Sequence, residues 1–289
     1  MSRSRVRTAV TAVLALLLGA LALPQPAAAA TTLIYATFKG DAAADEELWI
    51  YQSTNGGTSY STLTDTNFHG PTGVLRDPSI LKRNGVYYVA YTVQSWTTNS
   101  TYFSIASSTN LTSWTNIASI PAGVSGANYT WAPEFYVEGG SVKLITSVAS
   151  TSCSFCFRPY VYTAQNTALT SWSGPAQMWG LGTNHIDTFV VKSGSTWHAF
   201  TKNETTKYIE HWTTTANLTE GWVNKGTLFA AGYEGPSLVK LDNGSWRMYV
   251  DHYSAGDGIY TATSSDLNTW SSLSKITCSG CRHGTAIAK

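Results

Sequence analysis

Three acidic residues, Asp77, Asp187 and Glu234, each stand at the head of a short apolar run: Arg76-Asp77-Pro78-Ser79-Ile80, Ile186-Asp187-Thr188-Phe189 and Glu234-Gly235-Pro236-Ser237. Asp187 follows Asp77 by 110 positions, and Glu234 follows Asp187 by 47. Carboxylates gathered in one poorly hydrated place cannot all ionise, because desolvation and like charge drive their pKa values apart. One then keeps a proton while another stays anionic, and such a pair is what acid–base hydrolysis of a glycosidic bond requires. Singly, each acid has a plainer reading as a strand cap or as half of an ion pair such as Arg76–Asp77. Three in phase favour a shared site.

The other carboxylates sort by their surroundings. Asp65, Glu138, Asp242, Asp257 and Asp266 lie in turn sequences, where Asx and Gly do ordinary turn work. Asp41, Asp45, Glu46 and Glu47 fall in one charged loop, and Glu204 and Glu220 in polar turns, so all are expected to be solvated. Glu210 and Asp251 stand beside His211 and His252 and are read as surface or inter-blade pairs. Glu134 heads another apolar run, two residues beyond the aligned Ala132.

The elements that must position these acids show as repeats. Ser107-Ser-Thr-Asn-Leu-Thr-Ser-Trp114 has counterparts ending at Trp172, Trp222 and Trp270, and a degenerate copy ends at Tyr60. The closing aromatics lie 54, 58, 50 and 48 residues apart. A second repeat, out of phase with the first, begins at Asp77, Ala132, Asp187, Glu234 and His283. Each copy is a short apolar strand, and all but the last continue through a polar turn into a second strand. No helical period of any length occurs. Five strand-rich units of this size predict an all-β fold, a five-bladed β-propeller, whose innermost strands bring the acids to one mouth of a central channel. A two-sheet sandwich is the alternative, but it leaves the phase-locked repeats unexplained. The final strand, from His283, has no partner after it, and the strand near Thr32–Phe38 has none before it. Pairing the two would close the ring and remove two edges.

Residues 1–30 read as a signal peptide: Arg3, Arg5 and Arg7, an apolar run, then Pro24, Pro26 and an alanine-rich cleavage site near Ala30. Residues 31–289 are then a single catalytic domain, secreted to the extracellular space and monomeric. With the leader's arginines set aside, 15 basic residues face 17 acidic ones. That balance gives no electrostatic case for nucleic acid, and the leader run is too short for a good membrane span. Few charges and many Trp, Tyr, Thr, Ser and Gly suit a neutral oligo- or polysaccharide partner. Cys153, Cys156, Cys278 and Cys281 form two C-x-x-C pairs. An oxidising destination favours disulfides over a zinc knuckle, and pairing within each motif over cross-pairing. Six N-x-[ST] sequons occur, informative only where the source glycosylates.

Taken in order, Arg76-Asp77-Pro78-Ser79-Ile80, Trp131-Ala132-Pro133-Glu134, Ile186-Asp187-Thr188, Glu234-Gly235-Pro236 and Arg282-His283-Gly284-Thr285 resemble glycoside hydrolase family 43. Its members are five-bladed propeller enzymes of the arabinofuranosidase, arabinanase and β-xylosidase type. The resemblance implies an inverting glycosidase with Asp77 as general base, Glu234 as general acid and Asp187 tuning the acid and orienting substrate. Inversion implies base and acid carboxyls roughly 6.5–9.5 Å apart. Arg76, Trp131, Glu134, His185 and His283 are the expected substrate-binding residues. His283 also resembles the axial histidine that helps hold a Ca²⁺ or a water, although no cofactor is required. The substrate implied is plant cell-wall polysaccharide, with release of α-L-arabinofuranosyl units. β-Xylosidase and exo-galactanase or galactofuranosidase activities are the alternatives within the class. A non-catalytic carbohydrate-binding propeller is the rival from another class, but a repeat lectin would reuse one binding set in every blade. Two departures mark a divergent branch: Glu134 stands where relatives often have Asp, and a long segment precedes Asp77.

Overall fold

The computed structural model describes residues 31–289; the signal-peptide expectation falls on residues 1–30, outside that range. Twenty strands form five four-stranded antiparallel sheets. In chain order the first three strands are β1 (Leu33–Thr37), β2 (Trp49–Ser53) and β3 (Ser61–Asp65). Blade 1 holds β4 (Arg76–Arg83), β5 (Val86–Thr92), β6 (Tyr102–Ser108) and β7 (Thr115–Pro121). Blade 2 holds β8 (Ala127–Glu138), β9 (Ser141–Ser150), β10 (Phe157–Ala164) and β11 (Trp172–Gln177). Blade 3 holds β12 (His185–Ser193), β13 (Thr196–Asn203), β14 (Ile209–Thr214) and β15 (Val223–Leu228). Blade 4 holds β16 (Glu234–Lys240), β17 (Trp246–Asp251), β18 (Ile259–Ser264) and β19 (Ser274–Lys275). The last strand, β20 (Gly284–Ala288), joins β1, β2 and β3 as blade 5. This is the five-bladed β-propeller that the repeats predict, with β4, β8, β12, β16 and β20 packed against one another around the axis.

Each pair of neighbouring blades encloses its own apolar layer. Ile34, Ile50, Val89 and Tyr91 lie between blades 5 and 1, and Phe103, Leu144 and Tyr162 between blades 1 and 2. Ile145, Val190 and Ala199 fill the next gap, Phe200, Met248 and Val250 the one after, and Tyr35, Tyr51 and Tyr249 the last. Inner strands are thus apolar on both faces, which explains their near-continuous hydrophobic runs.

The repeated Ser/Thr/Asn-Leu…Trp sequence is a turn device between the third and fourth strands of a blade. Ser108 Oγ accepts from the N–H groups of Asn110 and Leu111, and Trp114 Nε1 donates to the Leu111 carbonyl at 3.0 Å. Trp172, Trp222 and Trp270 repeat that last bond to Leu169, Leu218 and Leu267. The buried leucine plugs the blade interface while the indole caps its backbone, so the repeat serves the scaffold. In the degenerate copy Tyr60 instead reaches blade 4, where its hydroxyl meets that of Tyr249 at 2.8 Å.

Ring closure has the expected form. β20 pairs antiparallel with β1, with Gly284 opposite Thr37 and Ala288 opposite Leu33. The register is tight at one point: a Cβ on Gly284 would lie 2.0 Å from the carbonyl oxygen of Ala36. Gly284→Ala should therefore destabilise the closed ring by roughly 1–3 kcal/mol or more, as overpacking against backbone does. Calorimetry should show a melting temperature several degrees lower. An unchanged melting temperature would show that closure tolerates a methyl group at this position.

Candidate active site

The four inner strands β4, β8, β12 and β16 share a bulge, after Arg76, Trp131, Ile186 and Glu234, which falls at the start of β4, β12 and β16 and further into the longer β8. The residue that follows lies in the left-handed region each time: Asp77 at φ 49°, Ala132 at 49°, Asp187 at 54° and Gly235 at 58°. Non-glycine residues adopt this conformation rarely, Asp more readily than Ala, and at a cost. The bulge breaks strand alternation, so two successive residues of one strand, such as Arg76 and Asp77 or Ile186 and Asp187, line the same pocket. Asp77 and Asp187 occupy equivalent positions. Glu234 stands one place earlier, beside Arg76, Trp131 and Ile186, and the aspartate position of blade 4 is taken by Gly235.

Gly235 is needed there because His283 fills the space. A Cβ on Gly235 would lie 2.3 Å from Cδ2 of the buried imidazole. His283 Nδ1 is 3.5 Å from Asp77 Oδ1 and 3.9 Å from Asp187 Oδ2, and Nε2 is 3.6 Å from Glu134 Oε1. Burial alone would lower the His283 pKa, but Asp187, Asp77 and Glu134 raise it well above the ordinary value, so the ring stays an imidazolium. Burial would likewise raise Asp77, but His283, Arg76 and Thr92 hold it down at about 2. Thr92, at the end of β5, donates to Asp77 Oδ2 at 2.9 Å and accepts from the N–H of Ala132 at 2.8 Å. Asp77 is therefore a fixed anion.

Asp187 is its opposite. It is 4 % exposed, and burial together with the nearby Glu234 and Asp77 charges outweighs His283 and Lys202, pushing its pKa up to about 7. Its Oδ2 accepts from the N–H of Gly235 at 3.0 Å, which joins β12 to the strand that begins with Glu234. Glu234 Oε2 accepts from Lys202 Nζ at 2.8 Å, and its Oε1 lies 3.7 Å from Arg282 Nη2. Asp77 and Glu234 belong to blades that are not neighbours, with blade 5 and His283 between them. They share a pocket of about 500 Å³, walled also by Thr92, Gln94, Trp96, Trp131, Tyr253 and Arg282.

Several expectations need correction. Arg76 lines the pocket but forms its ion pairs with Asp41 at 2.6 Å and Glu46 at 3.1 Å rather than with Asp77. Glu46 is accordingly buried, not solvated with its loop. His185 is not in the pocket wall. It is buried in blade 3, where Nε2 meets Glu210 Oε2 at 2.9 Å beside the edge of Trp212, a knot that Asn203 and Asn224 complete. Glu134 sits below the pocket, touching His283 and Thr285. Asp251 pairs with Arg282 rather than His252: its Oδ2 accepts from Arg282 Nε at 2.7 Å and from the His283 N–H at 3.0 Å. Glu204, read as a solvated turn carboxylate, lies in the pocket wall against Lys202. Trp131 is in the wall, tilted against Phe157 with ring centroids 4.6 Å apart. Each C-x-x-C closes on itself, as Cys153–Cys156 and Cys278–Cys281, leaving no free thiol for zinc.

The residues around His283 do not make up a calcium sphere. Ca²⁺ takes six to eight oxygens, whereas the ring's open Nε2 faces one carboxylate, that of Glu134, with the Thr285 hydroxyl behind it. Among the described residues no group of three or more His, Cys, Asp or Glu side chains can hold a metal ion.

The cluster has a pH signature. Asp187 at about 7 and Asp251 at about 6 lie above the ordinary 3.8, so between about pH 4 and 7 the folded state keeps protons that the unfolded chain has released. Their stabilisation is full below about pH 4 and lost as pH rises towards 7; Asp77, at about 2, acts in the opposite sense only below about 4. His211, held down at about 4 by burial, acts in the opposite sense over this range, so the test is a difference. The melting temperature of Asp187→Asn should rise relative to the parent's as pH goes from 4 to 7. A variant whose melting temperature tracks that of the parent over this range would mean that Asp187 holds no excess proton.

A family profile for glycoside hydrolase family 43-related proteins, described as a "probable glycosyl hydrolase domain", matches residues 29–288. A sequence comparison with curated proteins finds no match. Among solved structures, the Cellvibrio cellulosa α-L-arabinanase complexed with arabinohexaose superposes with a TM-score of 0.60 at 15 % identity, over 81 % of this chain and 88 % of that one. The GH43_1 enzyme of Xanthomonas citri complexed with xylotriose gives 0.55 at 13 % identity, over 68 % and 72 %. The exo-β-1,3-galactanase of Phanerochaete chrysosporium with galactose gives 0.54 at 16 %, over 69 % of this chain and 49 % of that one. These likenesses share the propeller, and the profile spans every strand of it. The chain belongs to the glycoside hydrolase family 43-related family and is a glycoside hydrolase.

Proposed function

We propose that the enzyme is secreted, acts on plant cell-wall polysaccharide and releases α-L-arabinofuranosyl units with inversion. The observation that carries the catalytic part is the unequal set of carboxyls in one pocket: Asp77 fixed as an anion, Asp187 keeping a proton towards neutrality, and Glu234 beside Asp187 in the same wall. Asp77 is the general base. It takes a proton from a water that attacks the anomeric carbon, while Thr92 and His283 keep the carboxylate aimed and ionised. Glu234 is the general acid. Of the two acids on this side of the pocket, Glu234 is the one that reaches substrate, its side chain 18 % exposed against 5 % for Asp187. Asp187 orients the strand that begins with Glu234 through the Gly235 N–H. Water attacks from the base side as the leaving oxygen receives its proton from the acid side, so the configuration inverts.

Different groups at the five mouths, namely Asp77, Ala132 with Glu134, Asp187, Glu234 and His283, support one asymmetric active site over a repeat lectin. The arabinanase likeness supports an arabinofuranosyl substrate. Two disulfides and the leader-like residues 1–30 support secretion.

A product screen on arabinan, arabinoxylan and galactan, with NMR of the first-formed anomer, tests the substrate and the inversion together. Released arabinose of inverted configuration is expected; xylose or galactose would reassign the substrate, and a retained anomer would overturn the base assignment. Glu234→Gln should lose on the order of 10²–10⁴ in kcat on a phenyl glycoside but far less on a 2,4-dinitrophenyl glycoside, whose leaving group needs no proton. Asp77→Asn should lose comparably on both. Variants that match the parent enzyme would leave a binding propeller as the reading.

A further inference from the structure

Glu234 is held from the rim as well as from the axis. Lys202 Nζ, which bonds its Oε2, is also 2.6 Å from Glu204 Oε1, and Glu204 Oε2 pairs with Lys207 Nζ. Lys202 is buried, with its ammonium 3.9 Å from the centroid of the Tyr253 ring, so it cannot turn away to water. Along these contacts the charges therefore alternate: Lys207, Glu204, Lys202, Glu234. Lys207 is the exposed end.

A fixed ammonium against a general acid is an awkward neighbour, because it favours the deprotonated form. If Glu234 were its sole partner, each protonation of that acid would leave Lys202 buried and unpaired, a costly state. Glu204 removes the difficulty. Its carboxylate stays with Lys202 while Glu234 is neutral, and the ammonium is shared again once Glu234 has given up its proton. The other charged groups around Glu234 are Arg282, Asp187, Asp251 and His283. Among the described residues, the only ion pairs of Glu204 are with the two lysines.

We propose that Glu204 is a positioning residue that sets the pH range over which Glu234 carries its proton, acting through Lys202 and not on the substrate. The inference rests on Glu234 being the proton donor. In each turnover the donor's proton goes to the leaving oxygen and the attacking water's proton goes to Asp77; Asp77 then releases that proton to solvent, and Glu234 takes one back from solvent. The Lys202–Glu204 pair exchanges no proton in this cycle and only balances charge.

The test is the pH dependence of kcat/KM for the parent, Glu204→Gln and Lys207→Met, each on the phenyl and the 2,4-dinitrophenyl glycoside of the sugar found in the product screen. Glu204→Gln should move the alkaline limb to lower pH by about half a unit or more on the phenyl glycoside. Lys207→Met, which frees Glu204 to act wholly on Lys202, should move it to higher pH. Neither variant should move the limb on the dinitrophenyl glycoside. Melting temperatures within a few degrees of the parent would show that both variants are folded, and Lys207→Met, at an exposed site, keeps the test open if Glu204→Gln does not fold. Unmoved limbs, shifts of the same sign, or equal shifts on both substrates would overturn the proposal. A Glu234→Gln loss that is equal on both substrates would instead overturn the acid assignment, and this inference with it.

Discussion

The buried imidazolium of His283 is the interaction on which the active site depends. Asp77, Asp187 and Glu134 reach it from three blades within 3.9 Å. Without a cation at that point, three carboxylates in the throat of a propeller would repel one another where water cannot screen them. With it, each acid settles differently. Asp77, also served by Thr92, becomes a permanent anion, whereas Asp187, more deeply buried and facing Glu234, keeps a proton towards neutrality. Asp77 and Asp187, the same residue type, therefore differ in protonation through unequal access to one charge.

Backbone conformation makes that arrangement possible. A regular strand would send alternate residues to opposite faces, and the first residues of an inner strand could offer only one side chain to the pocket. The shared left-handed residue at Asp77, Ala132, Asp187 and Gly235 lets two in succession face it. Blades 1 and 3 use the second place for an acid. Blade 4 uses the first place, for Glu234, and leaves the second empty so that the His283 ring can lie against Gly235. Glycine here is a packing requirement, since any side chain would occupy the site of the central cation.

Much of this was legible in the sequence, for identifiable reasons. The blades were readable because each is closed by the same turn, with its buried leucine and capping tryptophan, and because the inner strands are hydrophobic on both faces. Asp77 and Asp187 were readable because they share a register with a strand start. The one-residue offset of Glu234 was visible too, but its cause, the clash between Gly235 and His283, was not. The partners of Arg76 escaped because Asp41 and Glu46 come from a loop on the far side of the ring closure, and their charged neighbourhood looked solvated. Asp251, Lys202 and Glu204 escaped because they lie at or just past the ends of second strands, where no repeat marks them, and only the antiparallel return of β13 and β17 carries them to the mouth. His185 misled in the opposite direction: it is two residues from Asp187, yet it packs towards Glu210 and the body of blade 3.

Blade 5 ties folding to chemistry. Its inner strand comes from the end of the described chain and its other three from the beginning, so the ring closes only when β20 adds to β1. At the junction Thr37 Oγ1 donates to the Arg282 carbonyl and accepts from the Arg282 N–H, at 2.7 and 3.0 Å. The next residue is His283, whose own N–H is taken by Asp251 of blade 4. Closure thus delivers the cation to the axis and fixes Arg282 beside Glu234 in the same step. Before that step the other four blades present their acids around a channel with no charge at its centre, an arrangement that like-charge repulsion resists. The strand that closes the ring therefore also brings the charge that lets the other mouths converge, which makes the closing seam and the candidate active site one feature of the molecule.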